Sequence, residues 1–228
     1  MAIIQLGNDP NSPFPAVSQA AIEPNGLLAW GGDLTPVRLL NAYPQGIFPW
    51  YSEGQPILWW SPRPRSVIYP ANVHISRRLK RRIRSGKFTM TVDREFSRVV
   101  DSCANRREEG TWITPDMASA YAELHQLGFA HSIEIWYGDT LAGGLYGLAI
   151  GKAFFAESMF STVTDASKVA LVYLCQLLEK NNFSLIDCQL ETAHLNRMGA
   201  ENISRKQYLK ILKQATAMDA SPGAWLDA

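Results

Sequence analysis

Long apolar runs, paired cysteines and nucleotide-binding loops are all missing from this sequence. The longest uninterrupted apolar stretch, Val169 to Cys175, has seven residues, against the ~18 to 20 that a bilayer-spanning helix requires. No transmembrane helix and no membrane partner are expected. The opening segment MAIIQLGNDPNSPFP has neither a basic n-region nor a long apolar h-region, so no secretory signal is read there and a cytoplasmic protein is expected. Three cysteines, Cys103, Cys175 and Cys188, cannot all pair with one another, and no CxxC spacing occurs. A disulfide framework and a zinc ribbon are both disfavoured, and reduced thiols are expected. The four histidines (His74, His125, His131, His194) occur singly, without HxxxH or HExxH, so no metal site is assigned. No Walker loop and no GxGxxG is present, which argues against a nucleotide triphosphatase and a dinucleotide enzyme.

The 228 residues are 46% hydrophobic and 19% charged, which excludes wholesale disorder and allows one large domain or a domain with a smaller companion. A formal net charge of +1 conceals an asymmetry. Residues 77–87 hold seven basic side chains (Arg77, Arg78, Lys80, Arg81, Arg82, Arg84, Lys87) and no acid, leaving 15 Lys and Arg against 21 Asp and Glu elsewhere. The cationic block points to a polyanionic partner met at one patch, while the acidic remainder discourages nonspecific adhesion.

The first 62 residues carry nine of the 13 prolines and four of the seven tryptophans, which reads as a loop-rich module with short helices. Thr35-Pro36 supplies a capping hydroxyl ahead of a proline at the first helical position, and a short apolar helix through Tyr43 should follow, ended by Pro44 or Gly46. Ser61-Pro62-Arg63-Pro64 propagates neither helix nor central strand. A domain boundary is therefore placed there, giving a small N-terminal domain over 1–62 and a larger one over 63–228. Beyond it the pattern is mixed. Ile75, Leu79 and Ile83 form one apolar stripe, so a helix here turns its arginines to water. Thr114-Pro115 opens a second helix that Gly128 closes. Ser132–Tyr137, Thr140–Ile150 and Ala153–Phe160 read as an antiparallel meander with tight turns at Gly138-Asp139 and Gly151-Lys152. The glycines of GGLYG mark a bulge or a close approach. An apolar helix over Asp165–Glu179, a strand over Leu185–Leu190 and a helix capped by Ser204 and running to about Thr216 complete the chain.

The basic helix is the strongest functional signal. A charged run often only solubilises a helix face, but here no interleaved acid forms i,i+4 pairs, and cations on adjacent turns repel one another unless phosphates neutralise them. Trp50 in GIFPWYS and Trp112 in GTWIT sit in turn-rich segments. Either ring could cap a small core or stack on a base. Asp187 and Gln189 are polar residues at i and i+2 on an otherwise apolar strand, readable as a structural hydrogen-bond pair or as a positioned pair at a pocket. Glu157, an acid amid aromatics in FFAESMFS, is either neutralised structurally or held for a cationic substrate group. Cys175 and Cys188 are read as buried.

EPNGLLAWGGDL (Glu23–Leu34), AYPQGIFPWYSEGQPILWWSPRPR (Ala42–Arg65), FAESMFS (Phe155–Ser161) and DCQ (Asp187–Gln189) together resemble the bacterial leucyl/phenylalanyl-tRNA-protein transferase family, nearly end to end and in family order. ETAHLNRMGA departs from the pattern, with Thr192 where the family has asparagine. The resemblance implies an α+β fold: a small N-terminal α/β domain and a C-terminal domain of GCN5-related N-acetyltransferase architecture with a mixed, mostly antiparallel sheet. It implies transfer of Leu, Phe and, less readily, Met from aminoacyl-tRNA to proteins with N-terminal Arg or Lys, as part of N-end-rule degradation, by a monomer. Asp187 and Gln189 would be catalytic. Tyr43, Trp50, Trp112, Leu145, Phe154, Glu157, Met159 and Ile186 would bind substrate, with Trp50 and Trp112 on the terminal adenosine and the apolar members around the amino-acid side chain. Arg77, Arg78, Lys80, Arg81, Arg84 and Lys87 would hold tRNA. An aminoacyl ester is already activated, so no cofactor and no metal are expected. The coenzyme A loop (Arg/Gln)-x-x-Gly-x-(Gly/Ala) is missing, its nearest approach, Arg107 to Trp112, ending in tryptophan. The rival readings are a coenzyme A dependent N-acyltransferase on the same scaffold and a noncatalytic RNA-binding module.

Overall fold

The computed structural model of the chain describes residues 3–105 and 111–218, so most of the Arg107–Trp112 stretch lies outside the described residues. Two sheets organise it. The smaller contains β1 (Ile4–Leu6), β2 (Leu27–Gly31), β3 (Phe48–Pro49) and β4 (Leu58–Trp60) in the order β1-β2-β4-β3. Helix α1 (Pro36–Ala42) lies between β2 and β3, its first turn capped by the Thr35 hydroxyl accepting from the Arg38 amide. A 3-10 turn over Tyr43–Gln45 continues it, and Gly46, at φ 73°, ends the run. These strands have two to five residues, too few to show alternation. That is why a sheet stands where the composition predicts loops and short helices.

The larger sheet contains β5 (Arg65–Ile68), β6 (Thr89–Val92), β7 (Ala130–Tyr137), β8 (Thr140–Ile150), β9 (Ala153–Ser161), β10 (Leu185–Gln189) and β11 (Glu201–Ile203), in the order β11-β5-β10-β9-β8-β7-β6. Only the β9–β10 pair is parallel, so the fold is α+β with a mixed, mostly antiparallel sheet. Helices α2 (Arg77–Arg84), α3 (Phe96–Ala104), α4 (Pro115–Gln126), α5 (Ala166–Lys180), α6 (Ala193–Arg197) and α7 (Arg205–Thr216) complete it.

Two apolar layers sandwich the larger sheet. On one face α5 buries Val169, Ala170, Leu171, Leu174 and Leu178 against Ile133, Leu145, Phe154 and Ile186, and Leu79 of α2 joins them. Gly143 makes this fit possible, because a Cβ there would meet the Ala166 methyl at 2.7 Å. On the other face α3, α4 and α7 share one cluster with α1 and the smaller sheet, in which Tyr43, Trp59, Tyr121, Tyr146, Phe155 and Tyr208 are buried together. The meander, the proline-capped helices and the Ser204-capped helix stand where the sequence pattern puts them. Helix α3 carries no cap signal, and the sequence reading passes over it. Among the described residues no helix is long and apolar enough to cross a membrane.

Candidate active site

The site arises where the two parallel strands part. β9 and β10 pair from Leu185↔Ala153 to Asp187↔Phe155 and no further, although β9 continues to Ser161. Each strand is disrupted where the pairing stops. On β9, Tyr146 faces Ser158 and Gly147 faces Ala156, so Glu157 is the extra residue of a bulge. Gly147 allows this, since a Cβ there would lie 2.1 Å from the Phe155 carbonyl oxygen. On β10, Asp187 faces Val67 and Gln189 faces Ser66, making Cys188 the extra residue, and Gln189 takes a left-handed φ of 62°. Bulges redirect side chains. These two open a cleft beyond the carboxyl ends of the parallel pair, where open α/β sheets commonly place ligands.

Asp187 is buried in a network of its own. Arg65 donates to it from Nε at 2.8 Å and Nη2 at 2.7 Å, the Tyr208 hydroxyl donates at 2.7 Å, and the Gln189 amide donates at 2.9 Å. Arg65 lies between the rings of Phe48 and Tyr208, 4.8 Å from each centroid. Burial works against the guanidinium charge, but the Asp187 carboxylate raises its proton affinity overall. Asp187 thus acts on Gln189 through the backbone, by holding its left-handed amide in place.

Glu157 gathers a second network. Its Oε1 accepts from the Tyr43 hydroxyl at 2.8 Å and from Gln189 Nε2 at 2.9 Å, and its Oε2 accepts from the Tyr121 hydroxyl at 2.9 Å. The two phenols also contact each other. Burial pushes the Glu157 carboxyl up to about 7, the hydrogen bonds from Tyr43 and Tyr121 opposing that rise. Both phenols are raised well above their ordinary value, by burial first and then by the Glu157 charge. Donating Nε2 to Glu157 fixes the Gln189 carboxamide, so its oxygen is turned away from Glu157.

The cleft encloses about 280 Å³. Glu157 and Gln189 supply polar groups, Phe48, Ala156, Met159, Leu171 and Leu195 supply apolar surface, and Trp50 and Trp112 also line it. Trp50 is 39% exposed and is propped by Trp60, whose indole nitrogen donates to the Trp50 carbonyl at 2.7 Å. Trp59 is core, buried with Phe14 edge-on. Of the apolar residues that the resemblance nominates, Met159 lines the cleft. Leu145, Phe154 and Ile186 lie beneath it in the buried cluster on which Ala156 and Met159 pack, with Leu145 directly opposite Met159 in register. Tyr43 is buried behind Glu157. Cys188 lines the cleft with its thiol pushed up by burial, which makes it a poor nucleophile. Thr192 caps α6, accepting from the Leu195 amide at 3.1 Å. Sequence reasoning passes over Arg65, Tyr121 and Tyr208. Arg65 leads an apolar strand straight after two prolines, and that placement was the one available signal.

On α2, Arg77, Arg78, Lys80, Arg81 and Arg84 are exposed, as is Lys87 just beyond the helix. Arg78, Arg81, Arg82 and Lys87 line a second depression together with Thr164 and Asp165. Asp165 is 3.6 Å from Arg78 and 2.7 Å from Lys168, and Lys168 foremost holds its carboxyl below the usual range. The start of α5 contributes to both depressions, Asp165 lining one and Leu171 the other. At about 1.5 Å per residue the separation along the helix axis is roughly 9 Å. Among the described residues no group of three His, Cys, Asp or Glu could hold a metal ion.

The family model described as leucyl/phenylalanyl-tRNA protein transferase matches residues 67–213, and the model of the N-terminal domain of that transferase matches residues 32–63. The chain is 54% identical over 217 residues to the leucyl/phenylalanyl-tRNA–protein transferase of Nitrosomonas eutropha, covering 94% of this chain and 93% of that one. It is 53% identical over 214 residues to the protein of the same description from Azoarcus sp., covering 93% and 91%. Among solved structures it is similar to a GCN5-related N-acetyltransferase from Kribbella flavida, with 11% identity and a TM-score of 0.39, covering 74% of this chain and 61% of the other.

Proposed function

The chain belongs to the leucyl/phenylalanyl-tRNA protein transferase family and is an aminoacyltransferase; from that membership and the chemistry of the cleft, we propose that it moves Leu, Phe and, less readily, Met from aminoacyl-tRNA to the α-amino group of proteins beginning with Arg or Lys, marking them for N-end-rule degradation. The observation that carries this reading is a single cleft whose lining joins apolar side chains, the buried Glu157 carboxylate, the half-buried Gln189 carboxamide and the indoles of Trp50 and Trp112.

The donor side chain enters the slot lined by Ala156, Met159, Leu171 and Leu195 and backed by Leu145, Phe154 and Ile186. Such a slot admits unbranched and γ-branched side chains, while β-branched Ile and Val crowd it near Cα. Discrimination of about 1 to 3 kcal/mol per methylene implies tolerance among Leu, Phe and Met. The terminal adenine stacks on Trp50 and Trp112, and the cations of α2 and Lys87 meet phosphates of the acceptor stem, which they read by shape and charge. Aminolysis of an ester demands alignment of the amine, removal of a proton and stabilisation of the oxyanion. Gln189, held by Asp187 through its backbone and by Glu157 through its amide, aligns the acceptor amine with its free carboxamide oxygen. The protein works as a cytoplasmic monomer, where charged tRNA is available.

Incubation with Leu-tRNA and an Arg-starting peptide, in parallel with acetyl-coenzyme A and the same peptide, tests the reading. Leucine should appear on the peptide and acetate should not. Acetyl transfer alone identifies a coenzyme A enzyme instead, and tRNA binding with no transfer from either donor identifies an RNA-binding module.

A further inference from the structure

Three donors converge on Glu157: the hydroxyls of Tyr43 and Tyr121 and the amide of Gln189. A carboxylate offers about four lone-pair positions, so one remains, on a residue that lines the cleft beside Gln189. The phenol oxygens also touch each other. Tyr43, Tyr121 and Glu157 therefore form a closed triangle in which two hydroxyl hydrogens serve three contacts. One added proton completes it: Glu157 donates to one phenol, that phenol to the second, and the second back to the other carboxylate oxygen. Without that proton one of the three contacts has no hydrogen, and with it each contact has one, so the triangle holds a place for a proton that is taken up and returned.

We propose that Glu157 is the proton acceptor, and then the proton donor, of aminoacyl transfer, with the Tyr43–Tyr121 pair hydrogen-bonded to the carboxyl that carries the proton. This deepens the transfer reading and rests on it. The neutral α-amine attacks the ester carbonyl carbon. A C–N bond forms, and one nitrogen-bound proton passes to Glu157. When the C–O bond to ribose breaks, the departing oxygen takes that proton, directly or across one water, and the carboxylate is restored. No other reactant is consumed. Gln189 positions the amine, because the conjugate acid of a carboxamide is far too strong to hold the proton.

The titratable groups around Glu157 set its balance. Tyr43 faces it from the turn after α1 and Tyr121 from α4. Tyr146 of β8 lies edge-on to Tyr121 at 5.5 Å. Asp187 of β10 and Arg65 of β5 act from farther off. Burial, and then Asp187, raise the carboxyl, while the phenols and Arg65 lower it, and the result of about 7 suits a group that must both accept and donate near neutral pH.

The test is single-turnover transfer from Leu-tRNA to an Arg-starting peptide, followed across pH for wild type, Glu157→Gln and Tyr121→Phe. Absence of transfer by wild type would count against the transfer reading itself. Given that transfer, Glu157→Gln should lose about 10²-fold in rate at saturating substrates, with the dissociation constant for tRNA unchanged. Tyr121→Phe removes one donor from the carboxylate and should move the acid limb of the rate profile to higher pH. A Glu157→Gln rate close to wild type, a loss that lies wholly in binding, or an acid limb unmoved in Tyr121→Phe overturns the proposal. If Glu157→Gln does not fold, the limb in Tyr121→Phe decides alone.

Discussion

The floor of the cleft and the outer face of α2 are two charged regions built on opposite principles. In the cleft, Arg65, Asp187 and Glu157 are buried, and each is met by side chains at hydrogen-bond distance. On α2 five cations are exposed, and among the described residues Asp165 is the acid that pairs with one of them. Buried charge costs several kcal/mol per ion unless its geometry is met by partners, so it fixes position. Exposed charge costs little, contributes little to stability and acts at range, so it gathers a polyanion. In the proposed reaction the first region would serve bond making and the second tRNA capture.

The largest effect expected from breaking this contrast is on stability. Asp187→Ala leaves the Arg65 guanidinium buried without its carboxylate and should cost about 3 to 5 kcal/mol in urea unfolding. The same truncation of Arg81 on the exposed face should cost under about 0.5 kcal/mol. Comparable losses at the two sites would erase the distinction.

A second prediction concerns pH. The Glu157 carboxyl is raised from 4.5 to about 7 on folding. Between those values the folded state holds more protons than the unfolded one, so this group's contribution to stability falls as pH rises through that window and is least favourable above pH 7. Glu157→Gln should therefore unfold at higher urea than wild type at about pH 8, by at most ~3 kcal/mol. The gain should shrink toward about pH 5. A gain that grows on acidification would reverse the assigned sign.

A smaller effect sharpens the boundary between the regions. Trp50→Ala should weaken binding of an aminoacyl-adenosine donor by about 1 to 3 kcal/mol, the worth of one stacked base, while the unfolding midpoint moves less than for a core tryptophan because the residue is 39% exposed. Loss of stability without loss of donor affinity would return Trp50 to the core.

What the sequence made legible follows the same division. The α2 block stands out because an exposed cationic face needs no distant partner to be recognised. Asp187 and Gln189 stand out as polar residues on an apolar strand, and Glu157 as an acid among aromatics. Their partners do not, because Arg65 meets Asp187 across 122 positions of chain and Tyr121 meets Glu157 across 36. Tyr121 and Tyr208 read as ordinary members of amphipathic helix faces, since a phenol buries its ring like any apolar residue and shows its hydroxyl only once a partner is in place. Simple alternation also misleads here. It puts Asp187 and Gln189 on one face by counting, whereas their link runs through a bulge at Cys188 and a left-handed backbone. The smaller sheet was hidden by the brevity of its strands.

In the proposed reaction α2 serves capture alone. Replacing Arg77, Lys80, Arg81 and Arg84 together with glutamine, and comparing transfer from intact Leu-tRNA with transfer from a minimal leucyl-adenosine donor, tests this directly. The KM for tRNA should rise and the salt dependence of tRNA binding should flatten by about one power of salt concentration per charge removed, with kinetics on the minimal donor unchanged. Equal damage with both donors would show that the α2 cations act on the chemistry or the fold and not on tRNA capture.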